Sequence, residues 1–92
     1  MIVEDNLDLA VFCTDGILKQ NIGIDAVFHD KDDDYSFLNR QEEDRKICIL
    51  SLEEVIGLDP SVAQVLDIPL GYVAWRVDSN SEWIIAPYEE YE

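Results

Sequence analysis

Short apolar runs alternate with acidic loops along this chain, and most of the runs have strand length. Leu7 to Thr14 is β-rich, with Ala10, Val11, Phe12 and Cys13 in series. That predicts a first strand with both faces partly covered. Asp15-Gly16 turns the chain, and Ile17 and Leu18 fit a single helical turn. Ile22 to His29 predicts a second strand, with Ile22, Ile24, Ala26 and Phe28 on one face and Val27 on the other. The run Asp30-Lys31-Asp32-Asp33-Asp34 ends it, because Asp disfavours strands and like charges repel. Tyr35 to Leu38 comes next as a third strand in a hairpin with the second, and Asn39 to Lys46 is another charged loop.

Ile47 to Leu50 predicts a fourth strand. Ser51-Leu52-Glu53-Glu54 has the form of a capping box: the Ser51 hydroxyl accepts from the backbone three residues on, and Glu54 reaches back to the Ser51 N–H. Val55 and Ile56 give that helix an apolar face, and Gly57 is expected to stop it. Asp59-Pro60 opens a second helix, with Asp59 as N-cap and Pro60 at the first position, where a missing N–H costs nothing. Val62, Val65 and Leu66 have the spacing of one buried face. Asp67, Pro69 and Gly71 then turn the chain. Tyr72 to Val77 has period two, placing Val73, Trp75 and Val77 together, and Asp78 to Ser81 is a turn. Glu82 to Ala86 is a last strand, and Pro87 confines the final residues to an edge or tail. The expected architecture is α+β, a single domain over residues 1–92 with an acidic tail from about residue 87. It has about six short, mostly antiparallel strands and one or two short helices between the fourth and fifth.

Composition changes this picture by adding charge. Twenty-one acids face six bases, a net charge of −15, while 48% of residues are apolar. A chain so rich in aromatic and β-branched residues folds despite its acidity. Charge of that sign repels nucleic acid and anionic membrane and attracts basic proteins. No run of roughly 18 apolar residues spans a bilayer. The acidic start, Met1-Ile2-Val3-Glu4-Asp5, is unlike a secretory leader. A cytoplasmic protein is expected, with Cys13 and Cys48 as reduced core thiols unless their strands prove to be neighbours.

Candidate chemistry is sparse. Asp30, Asp32 and Asp34 match the first acidic positions of a calcium loop, but Tyr35 stands where the turn needs Gly and Gln41 where the bidentate Glu belongs. One His and two Cys in apolar surroundings do not make a zinc site. His29, the single histidine, is expected on the surface at a strand end, with no nucleophile signature beside it. No glycine-rich phosphate loop and no basic patch with interleaved aromatics is present. Neither enzymatic activity nor a cofactor is therefore expected. The acids gather in groups: Glu4, Asp5 and Asp8; Asp30, Asp32, Asp33 and Asp34; Glu42, Glu43 and Asp44; and Glu89, Glu90 and Glu92. The expected partner-binding residues are Asp30, Asp32, Asp33, Asp34 and Tyr35, with Glu42, Glu43 and Asp44.

One stretch carries a resemblance. Leu52-Glu53-Glu54-Val55-Ile56-Gly57-Leu58-Asp59-Pro60-Ser61-Val62, continued by Val65-Leu66-Asp67-Ile68-Pro69-Leu70-Gly71-Tyr72-Val73-Ala74-Trp75-Arg76, is similar to the late part of a small bacterial family, the immunity protein thirty-three-like domains. The early strand with Cys13 and the turn Ile17-Leu18-Lys19 extend the likeness, so that it spans residues 8–77. The family's Ser-Gly-Trp and Gly-Asp-Glu stretches are missing from the middle, where Asp34-Tyr35-Ser36-Phe37-Leu38 and Asn39-Arg40-Gln41-Glu42 stand, so no middle-region role carries across. The resemblance implies an antitoxin-like binding protein. The expectation is an immunity-type protein that neutralises a basic bacterial toxin through an acidic surface. An acidic nucleic-acid mimic that inhibits a defence or DNA-processing enzyme is the alternative. A free sheet edge, expected at the last strand before Pro87, offers a way to pair two copies.

Overall fold

The computed structural model describes residues 7–19, 22–42, 46–78 and 80–88. Six strands form one sheet: β1 (Ala10–Thr14), β2 (Ala26–His29), β3 (Tyr35–Leu38), β4 (Ile47–Ser51), β5 (Tyr72–Trp75) and β6 (Ile84–Pro87). Their spatial order is β4-β1-β3-β2-β5-β6. Every neighbouring pair is antiparallel except β1 with β3, which is parallel. Helix α1 (Asp15–Lys19) follows β1, while α2 (Leu52–Leu58) and a 3₁₀ helix (Pro60–Val65) lie between β4 and β5. The fold is therefore α+β, with the six strands and the helix placement expected from the pattern.

The core lies between the sheet and these helices. Val11, Cys13, Val27, Tyr35, Phe37 and Ala74 come from the sheet, and Ile17, Leu52, Val55, Val62 and Val65 from the helices, all buried in one cluster. Both caps form as the sequence requires. Ser51 Oγ accepts from Glu54 N at 3.2 Å while Glu54 Oε1 accepts from Ser51 N at 3.1 Å. Asp59 Oδ1 accepts from Ser61 N at 3.2 Å, with Pro60 at the first position.

Some details differ from the sequence expectation, and β1 and β2 begin only at Ala10 and Ala26. Gly57 does not stop α2, which runs on to Leu58. The stop is Asp59, extended at φ −149° and ψ 92°, because a residue before proline is pushed out of the helical region. β5 ends at Trp75, leaving Val77 beyond the strand and 66% exposed. β1 is partly covered on both faces, as expected: Val11 and Cys13 are buried on one, and on the other Thr14 is buried while Phe12 is 37% exposed. Its apolar run is unbroken because the helix-free face of the sheet is itself apolar.

Strand directions give the sheet two ends. The β2–β3 turn lies at one end, where His29 pairs with Tyr35, and Ala26 pairs with Leu38 at the other. β1 and β4 set Ala10 opposite Ser51 at the turn end and Thr14 opposite Ile47 at the far end. β5 begins at the turn end, where Tyr72 pairs with His29.

Candidate functional site

The acidic run 30–34 builds a hairpin with a three-residue loop. Asp30 N donates to Asp34 O and Asp33 N to Asp30 O, both at 3.0 Å. The Asp30 carboxylate accepts from Asp32 N at 3.0 Å and Asp34 N at 3.1 Å. Asp33 closes the loop at φ 67°, a left-handed conformation that Asp tolerates better than most residues. From there its Oδ1 lies 2.6 Å from His29 Nε2. Asp30 and Asp33 thus hold the turn, while Asp32, Asp33 and Asp34 are exposed.

His29 is not the surface residue expected of it. It is 8% exposed, and its Nδ1 lies 2.7 Å from the Ile68 carbonyl. A carbonyl only accepts, so Nδ1 carries a proton and donates. The ring stacks on Tyr35 with centroids 4.1 Å apart. Tyr35 is also moved from the surface to the core, at 2% exposure, because it shares the helix-bearing face of β3 with Phe37. Its hydroxyl donates to the Leu66 carbonyl. Burial pushes the Tyr35 phenol up to about 12, and the carboxylates of Asp33 and Asp67 add to the rise. Tyr35 therefore supports the acidic turn from beneath and offers no ring to a partner.

Glu42 lies at the far end, since the chain reaches it from Leu38. Along β3 that is roughly 15 Å from the hairpin turn, beyond the reach of unscreened attraction at physiological salt. Its carboxylate is pressed over Gly16, where an added β-carbon would stand 1.9 Å from Oε1. Asp30 to Asp34 and Glu42 are therefore not one patch. Glu43 and Asp44 lie outside the described residues, as do Glu4, Asp5, Glu89, Glu90 and Glu92.

What the turn end does collect is other acids. Asp8 lies there, between Leu7, whose carbonyl accepts from Glu53 N, and Leu9, whose carbonyl accepts from Leu52 N. Glu53 and Glu54 open α2 beside Ser51, and Asp67 sits close enough to raise the Tyr35 pKa. With Asp30, Asp32, Asp33 and Asp34, these carboxylates face one described Lys or Arg, Lys31. Among the described residues the far end is less acidic, with Asp15, Asp25, Glu42, Asp59, Asp78 and Glu82 against Lys19, Arg40, Lys46 and Arg76. There Lys19 pairs with Asp15 at 3.4 Å, Arg40 with Asp25 at 3.4 Å and Arg76 with Asp59 at 2.7 Å. The charge is thus polarised along the strands, a property that the order of charges in the chain does not reveal.

The far end is held by a clasp that sequence reasoning left unconnected. Arg76 is 2% exposed, and its Nε and one terminal nitrogen donate to the Ile24 carbonyl at 3.0 and 2.8 Å. The same guanidinium donates to Ser61 Oγ at 2.9 Å and Asp59 Oδ2 at 2.7 Å, and lies 4.1 Å from the Trp83 ring centroid. Asp59, Ser61 and Arg76 belong to the stretch that carries the family resemblance, and their roles here are structural. An open cavity of about 480 Å³ adjoins the clasp, lined by Gln64, Asn80, Ser81, Glu82 and Trp83 among others. Among the described residues, no three His, Cys, Asp or Glu side chains are grouped to hold a metal ion, and no helix is long and apolar enough to cross a membrane. Compared with known proteins, the chain matches no family model, no curated protein and no solved structure.

Proposed function

We propose that this chain is an immunity-type binding protein that neutralises a basic bacterial toxin in the cytoplasm, and that the β2–β3 end of its sheet is the surface it offers. The observation that carries this reading is the polarised charge: exposed carboxylates from β2–β3, α2, Asp8 and Asp67 crowd one end, with Lys31 as the only described Lys or Arg there. Such a field speeds the encounter with a cationic partner and fixes its orientation. The hairpin is also held in advance, through the Asp30 turn and the Asp33–His29 contact, so little ordering remains to oppose binding. The resemblance of residues 52–76 to the immunity family supports the choice of a toxin as that partner. Inhibition proceeds by occlusion, with carboxylates placed against the basic residues that the toxin uses for its own substrate. The reading needs no catalytic residue and no cofactor.

The test is co-purification with the protein encoded beside it, at low and high salt. The complex is expected to weaken as salt rises and to be lost with the double change Asp32→Lys and Asp34→Lys. Asp78→Lys, at the far end, is expected to leave it intact. A complex indifferent to salt and to reversal at the hairpin removes the acidic end as the binding surface. Absence of any complex removes the adjacent-toxin reading altogether.

A further inference from the structure

We propose that β4 is a self-association edge, on which a second copy of this chain docks antiparallel to extend the sheet across a two-fold axis. This goes beyond toxin binding and uses the β4 edge, which adjoins the acidic end at Glu53 and Glu54.

The sheet has two edges, β4 and β6. β6 is blunted. Tyr88 N donates to Gly71 O, so by alternation the nitrogen of Pro87 faces outward, where proline has no N–H to offer a new strand. Among the described residues β4 has no such device. Asp15 N donates to Lys46 O and Leu52 N donates to Leu9 O, which by alternation turns Cys48 and Leu50 toward β1 and the backbone of Ile47 and Ile49 outward. The strand Ile47-Cys48-Ile49-Leu50-Ser51 has no charge and no proline, the usual protections of a free edge. Its outward-facing residues are also the ones with exposed side chains: Ile47 is 59% and Ile49 65% exposed, beside Phe12 at 37%. All three lie on the helix-free face, because Phe12 pairs with Ile49 and Ile47 is two residues before it.

Charge selects the occupant and its direction. Among the described residues the hairpin end carries nearly unopposed acid, while at the far end Lys19, Arg40, Lys46 and Arg76 offset most of the acids. Parallel pairing of two copies would set the two acidic ends side by side. Antiparallel pairing sets each acidic end beside the partner's less acidic end. It also brings Lys46, which has the parity of Cys48 and Leu50 on the helix side, next to Glu53 and Glu54 at the start of the partner's α2. Such a pairing is isologous and closes on itself, so it yields a dimer and not a fibre. Phe12, Ile47 and Ile49 of the two copies then form one apolar strip across the joint, with cross-strand side chains about 5 Å apart.

Light scattering on the eluted protein across a concentration series tests this directly. The wild-type mass is expected to rise from the single-chain 10.6 kDa to twice that value as concentration increases. Ile49→Lys is expected to hold it at the single-chain mass, and Lys46→Glu to raise the dissociation constant by about tenfold or more. Ile84→Lys, on the β6 edge, is expected to associate as wild type does. Circular dichroism confirms that each variant folds, and Ile49→Thr provides a milder change that must act in the same direction. A wild-type chain that stays at 10.6 kDa up to its solubility limit overturns the proposal. So does a dimer that survives both Ile49 variants, or one that Ile84→Lys disrupts.

Discussion

Arg76 is the side chain on which the far end of the sheet depends. It ties the Ile24 carbonyl, Asp59 and Ser61 together beneath Trp83. Removing one partner of a buried ion pair leaves the other desolvated and uncompensated. Arg76→Met is therefore expected to cost about 3–5 kcal/mol, a large part of the ~5–15 kcal/mol that holds a domain of this size. Urea unfolding followed by tryptophan fluorescence measures it, and a loss within error of zero would mean that the clasp is decorative. Arg76→Lys is expected to fall well short of wild type, because an ammonium cannot reproduce the planar fork. Thr14 presents the opposite case. It is fully buried in β1, and its hydroxyl has no hydrogen-bond partner among the described residues. Thr14→Val keeps the shape and removes a desolvated polar group, so it is expected to raise stability by about 1 kcal/mol. A loss in the same urea assay would show that the hydroxyl is satisfied in solution. At this scale the sequence misleads where a side chain's neighbours come from far along the chain. His29 and Tyr35 look like exposed residues beside aspartates, yet Ile68 and Leu66, more than thirty positions away, supply the carbonyls that bury them.

Elements whose determinants are local were legible. The α2 capping box, the Asp59-Pro60 start of the 3₁₀ helix and the β2–β3 hairpin all stand where residue types within five positions demand them. The exception within α2 is Gly57, which looks like a terminator but occupies the last turn of a helix ended by Asp59 and Pro60. A β-carbon built there meets nothing within 4 Å. Gly57→Ala is therefore expected to raise stability by about 0.5–1 kcal/mol, since alanine loses less backbone entropy on entering a helix. A decrease in thermal midpoint would mean that Gly57 adopts a glycine-only conformation in solution. The pairing of β1 was not legible. Its parallel neighbour β3 and antiparallel neighbour β4 are set by long-range packing, and a run such as Ala10-Val11-Phe12-Cys13 reads the same beside any partner.

For the whole molecule, burial of ionisable groups makes stability fall at high pH. Burial pushes the Cys13 thiol up to about 12 from 9.0, and the neighbouring Cys48 and Glu42 add to the rise. Tyr35 rises likewise to about 12 from 10.0. The unfolded chain releases both protons at the lower values, so between those values and about 12 it binds fewer protons than the folded chain. Stability contributed by these groups is fully present below pH about 9 and declines as pH rises toward 12. The urea midpoint is expected to fall between pH about 8 and pH about 11, with a shallower fall in Cys13→Ala. A midpoint unchanged over that range would show that the two groups titrate normally when folded. The register also sets Cys13 directly opposite Cys48, and both are free thiols.

By itself the sequence determined the fold class, the six strand-forming segments, the helix caps and the acidity, because each depends on residue type and short-range spacing. Only the tertiary structure decided which acids act together. Asp30 to Asp34 and Glu42 are separated by β3, and Glu53, Glu54 and Asp67 join the hairpin aspartates because antiparallel strands return the chain to the same end. Whether charges share a surface depends on strand direction and order, and those are fixed by packing between residues far apart in the chain.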